Sequence, residues 1–137
     1  MTFETKTRYG AQEVYGEDVD AAPIVEALVV ELETEKFDKP DDEHTQIAIS
    51  NGNWSVTVAV SGLMSLDDLS WITGSSDDTP IPTLHLRAQT RDEAVDLLRS
   101  IAEGRIDSVR AAPWVAYENL PPRRDLFREG RREALSL

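Results

Sequence analysis

The 137-residue chain contains two histidines, His44 and His85, and no cysteine. Without cysteine there is no thiolate chemistry, no disulfide framework and no Cys-ligated zinc or iron–sulfur centre. His44 ends an Asp-Asp-Glu-His run. Four adjacent polar side chains cannot converge on one ion, so this run reads as a solvated loop. His85 shares the polar side of a strand pattern with Arg87. A general base there needs a partnered nucleophile in a cleft; Ser55, Ser61 and Asp78 are the candidates, and no spacing ties any of them to it. The carboxylate pairs Asp67/Asp68 and Asp77/Asp78 lack the apolar shielding that would raise one pKa for acid–base work. No nucleophile elbow, phosphate-cradling glycine loop, His-Glu-x-x-His pair or dinucleotide fingerprint occurs. The sequence therefore predicts a non-enzyme with no cofactor and no metal.

What remains is chemistry for binding. Fourteen basic residues face 26 acidic ones, a formal charge of −12. Such a surface repels nucleic acid and anionic lipid. The charge is uneven: residues 1–120 carry 9 basic and 23 acidic side chains, residues 121–137 carry 5 and 3. Glu17 to Glu43 holds 11 acids against Lys36 and Lys39. Three tryptophans are available as anchors, since aromatics dominate interface energy while charge sets the encounter rate. Trp54 heads an apolar strand stripe and reads as core or core edge; Trp114 reads as a plug at the end of the core. Trp71 sits beside the Gly74–Asp78 loop. The partner-binding residues predicted on this basis are Asp38, Asp41, Asp42, Glu43, Trp71, Asp77 and Asp78.

The elements that position these residues follow from periodicity. Phe3–Tyr9 alternates as a strand. Asp20 is placed to cap a helix that has Pro23 in its first turn and runs to about Glu35. Ile24, Val25, Leu28, Val29 and Leu32 share its inner face, and Val30 falls outside it. Asn51-Gly52 between alternating runs predicts a two-residue type I′ hairpin joining Gln46–Ser50 to Asn53–Ser61. Residues 63–72 are ambiguous: Ser65 is placed to cap a helical turn through Asp68, after which residues 69–73 read as strand or helix. Thr83–Ala88 alternates again. Thr90-Arg91-Asp92-Glu93 has capping-box spacing, and the helix it opens ends at Gly104. Ile106–Val109 reads as a short strand and Arg123–Leu135 as a short Arg-rich helix. The class is α+β: an antiparallel meander packed with two main helices, one domain over 1–120, and a C-terminal helical tail over 121–137.

No apolar run reaches the length of a membrane span, and the first ten residues have no signal-peptide core; the expectation is a cytoplasmic protein with no membrane partner. Two classes of function fit. One is an acidic face that meets a basic protein. The other is a salt-adapted acidic interaction domain or subunit, which the excess of 11 Arg over 3 Lys accommodates.

The order Phe3–Tyr9, Ile24–Leu32, Gln46–Ala88, the Thr-Arg-Asp-Glu-Ala-Val helix start at 90–95 and Trp114 resembles the first-numbered immunity-protein superfamily of bacterial polymorphic toxin systems. The likeness spans residues 3–114; the acidic 38–43 loop and the tail over 115–137 depart from it. The resemblance implies a protein that neutralises a cognate toxin, often a nuclease or deaminase, by covering its active site. An acidic inhibitor meeting a basic cleft agrees with that implication.

Overall fold

The computed structural model describes residues 2–8, 10–16, 18–33, 46–69, 83–121 and 126–127. Among these residues six strands form one antiparallel sheet: β1 (Phe3–Lys6), β2 (Gln12–Tyr15), β3 (Gln46–Asn51), β4 (Trp54–Ala59), β5 (Leu63–Asp68) and β6 (Leu84–Arg87). Their spatial order is β2-β1-β3-β4-β5-β6, so the predicted meander runs from β3 to β6 and a hairpin extends it on one side. The helices are α1 (Ala21–Glu33), α2 (Arg91–Ala102) and the short α3 (Ile106–Arg110); a 3-10 turn follows at Tyr117–Asn119.

Alternation sorts the sheet into two faces. Phe3, Thr5, Ile47, Ile49, Val56, Val58, Met64, Leu66 and Leu86 are buried on the inner one. They meet Val25, Leu28, Val29 and Leu32 of α1, and Ala94, Leu98 and Ile101 of α2, in a single core. The outer face carries short or polar side chains such as Ala48, Ser50, Ser55, Thr57 and Ser65. Helix α2 packs against α1, α3, β3 and β4. Thr90 caps it as predicted, its hydroxyl accepting from the Glu93 amide at 3.2 Å. The Glu93 carboxylate reaches back one residue further than a capping box requires, to the Gln89 amide at 3.2 Å. Asp20 caps α1 through the Ala22 amide at 3.1 Å.

Four local expectations change. The first strand stops at Lys6, because the chain turns at Thr7–Ala11 with the Thr7 amide on Ala11 O at 2.8 Å and Gly10 at a φ of 89°. The β3–β4 hairpin pairs Asn51 with Trp54, so its two loop residues are Gly52 and Asn53 rather than Asn51 and Gly52. Only Gly52 has positive φ (61°), which is the pattern of a type II′ turn and not of type I′. Asn51 stays in the strand because its side-chain amide caps α2, donating to Ile101 O at 3.0 Å and Ala102 O at 3.3 Å. Residues 63–68 are strand, without a helical turn at Ser65. Residues 106–110 are helix and not strand: Ile106 and Val109, three apart, both pack against the core.

The core also reaches past residue 120. Leu126 and Phe127 are buried, and the Phe127 amide donates to Val60 O at 3.1 Å. Gly62, at a φ of 85°, makes the room: a Cβ there would lie 3.0 Å from Ala88 O and 3.1 Å from Leu126 Cδ2. The remainder of the predicted Arg123–Leu135 helix lies outside the described residues.

Candidate functional site

Six strands at about 4.8 Å spacing make a sheet roughly 24 Å across between its outer strand axes. Two helices packed side by side, each about 10 Å in diameter, do not cover all of it. Among the described residues the sheet is left open beside β2. Between the β1–β2 hairpin and α1 runs an open groove of about 420 Å³. Its floor and far wall are Ile24, Ala27 and Leu28 of α1; its near wall is Thr5, Glu13 and Tyr15. Among the described residues Glu13 and Glu31 are the charged ones lining it, and no basic side chain does.

Each lining group is held. The Tyr15 ring stacks on Phe3, with centroids 5.1 Å apart at 22°. Its hydroxyl donates to the Glu13 carboxylate, and this bond, with burial and the negative charge beside it, keeps the phenol above its ordinary pKa. Glu31 accepts the backbone amide of Arg8, so its carboxylate is fixed at the groove's end. Arg8 itself is buried; its guanidinium donates to Glu31 O at 3.4 Å and Leu32 O at 3.3 Å. A cation on the last carbonyls of α1 complements the negative end of the helix dipole. This is why an arginine sits inside the fold instead of neutralising the groove.

The surroundings reinforce the sign. Residues 9–35 contain eight acids and no Lys or Arg. Glu26 and Glu33 on α1 are bridged by Arg91 of α2, whose Nε lies 2.9 Å from Glu33. The hydrogen bond from Arg91, with its charge, holds the Glu26 carboxyl below its usual value despite some desolvation. Val14 on β2 is 67% exposed, and Val30, outside the inner face of α1 as read from the sequence, is 47% exposed.

Asp38, Asp41, Asp42, Glu43, Trp71, Asp77 and Asp78, with His44, lie outside the described residues. Trp54 is half-buried against the core with the Arg110 guanidinium 5.1 Å over its ring. Trp114 is also half-buried, its indole N–H on Val109 O at 2.7 Å. His85 lies on the outer sheet face directly opposite Ser65, and its Nδ1 is 3.2 Å from Ser65 Oγ. Its backbone bridges Val115. The candidate nucleophile that the register brings to it is thus Ser65, not Ser55 or Ser61; Asp78 lies outside the described residues. Asp67 accepts from Thr83 two positions along the same strand pair. No helix among the described residues is long and apolar enough to cross a membrane.

Sequence reasoning missed the groove because it left β2 unassigned. The signal was present in Gln12-Glu13-Val14-Tyr15, four residues bracketed by Gly10 and Gly16. No family model, curated protein or solved structure matches this chain.

Proposed function

We propose that this chain is an immunity-type protein that binds and neutralises a basic, nucleic-acid-targeting toxin through an acidic surface, acting by binding and not by catalysis. The observation that carries the reading is the β2–α1 side of the fold. The described residues between 10 and 33 hold six acids and no base, and they form one edge of the sheet and the helix beside it. A groove whose otherwise uncharged lining carries Glu13 and Glu31 lies between them. A cleft that handles nucleic acid is rich in Lys and Arg. An opposed acidic face steers its approach and raises the association rate by 10-fold or more, an order-of-magnitude effect that salt removes. The acids at 38, 41–43 and 77–78, together with Trp71, are further contact residues in the proposal.

Co-purification with the product of the adjacent gene tests it. The expected result is a stoichiometric complex of about nanomolar affinity that weakens steeply with ionic strength and suppresses the toxin's activity. No complex at low salt, with both proteins folded, overturns the reading and leaves the salt-adapted interaction domain in its place.

A further inference from the structure

We propose that β2 and the groove beside it accept an extended segment of the basic partner as a seventh strand, one whose residues alternate between cationic and apolar. This deepens the reading above and rests on it for the identity of the partner as a basic protein.

The hydrogen-bond phase of the hairpin identifies which backbone groups are offered. The turn closes with the Thr7 amide on Ala11 O, and the register pairs Phe3 with Tyr15, Glu4 with Val14 and Thr5 with Glu13. In an antiparallel pair the bonded positions alternate. Ala11, Glu13 and Tyr15 therefore direct their N–H and C=O toward β1, and Gln12 and Val14 direct theirs outward. β2 is the terminal strand of the sheet among the described residues. Two N–H and two C=O groups thus stand ready for one more strand, the geometry of strand addition.

The same alternation specifies the side chains of the occupant. On the inner face its residues lie beside Glu13 and Tyr15 and lean into the groove toward Glu31, where carboxylates and an apolar floor fit the charged head and aliphatic stem of Lys or Arg. On the outer face they lie beside Val14, whose exposed isopropyl group favours an apolar neighbour across the strands. A uniformly acidic or uniformly polar segment satisfies neither face.

A blocked eight-residue peptide alternating arginine and valine is the probe, titrated into the intact ¹⁵N-labelled protein at low salt. The amides of Gln12 and Val14 are expected to move most, with saturable shifts. Val14→Pro removes one outward N–H and leaves the pairing to β1 intact, because edge strands tolerate proline where the amide faces away. It is expected to weaken the peptide at least about tenfold, as is alternate N-methylation of the peptide backbone. Glu13→Gln combined with Glu31→Gln is expected to do the same, and a glutamate–valine peptide is expected not to bind. Shifts spread over all acidic surfaces, or equal binding of the N-methylated peptide, overturn the inference. So does equal binding by the Val14→Pro protein with its spectrum otherwise unchanged. Failure here with the toxin complex intact places the toxin on other acids and spares the proposed function. Peptide binding without any toxin complex removes the function and leaves the strand site.

Discussion

Replacing Asn51 isolates how the hairpin and α2 hold one another. Its amide group donates to Ile101 O and Ala102 O, while its own Oδ1 is buried without a partner among the described residues. Asn51→Ala removes two hydrogen bonds worth about 1 kcal/mol each in net terms. Ile101 O retains the Gly104 amide at 3.1 Å, so the exposed deficit falls mainly on Ala102 O, at about 1 kcal/mol. Deleting the unpartnered Oδ1 returns about 1 kcal/mol. The net loss is about 2 kcal/mol, or roughly 6 °C in Tm for a domain of this size. Asn51→Asp is nearly isosteric and gives a different outcome. A carboxylate then faces two carbonyls at the negative end of a helix, and the loss at neutral pH rises to about 4 kcal/mol. Burial raises the folded pKa of that acid above its unfolded value near 3.9. The native state then binds more protons than the unfolded one between these values, so the penalty is full above the raised pKa and shrinks as pH falls through it. Urea unfolding of both variants at pH 7 and pH 4.5 reads this directly. If Asn51→Ala costs under about 0.5 kcal/mol, or if Asn51→Asp matches it at pH 7, the amide is not the clamp described.

Two further outcomes follow from the packing. Arg91→Gln releases Glu26 and Glu33 on α1; with all three side chains partly exposed, the loss is about 1 kcal/mol. Because Glu26 has a depressed pKa when folded, that contribution is present above the unfolded carboxylate value and disappears as pH falls through the lower folded one. The gap between the denaturation curves of wild type and variant should therefore narrow as pH falls below the unfolded carboxylate value of about 4.3; a gap that does not narrow in acid contradicts the ion-pair assignment. Phe127→Ala empties a fully buried site and is expected to cost about 4 kcal/mol, measured by thermal or urea unfolding. A change within 0.5 kcal/mol would mean that the chain beyond residue 120 is not part of the core.

The sequence shows the architecture more clearly than its phase. Apolar spacing marked α1 and α2, and alternation marked β3, β4 and β6, because each buries one face against a common core. Parity explains the misplaced hairpin turn. Moving the loop from Asn51-Gly52 to Gly52-Asn53 slides the pairing by two residues, so every side chain keeps its face and hydrophobic alternation cannot tell the registers apart. What decides between them is Asn51 reaching Ile101, fifty residues away. Arg8 was illegible for the same reason. A charged residue in a polar slot gives no local sign that it will be buried against the end of α1, and the groove beside it depends on that burial.

The acidity of the β2 edge also bears on how the protein treats its own copies. An exposed terminal strand is an invitation to any chain with unpaired backbone, and identical molecules are the most abundant such chains in their own solution. Two copies meeting edge to edge bring Glu13 and Glu31 of each to a single junction, with no Lys or Arg between residues 9 and 35 to relieve them. The backbone there is open to all, but the charge admits only what is unlike itself. Discrimination between self and non-self is thus written into four strand residues and one carboxylate on the neighbouring helix.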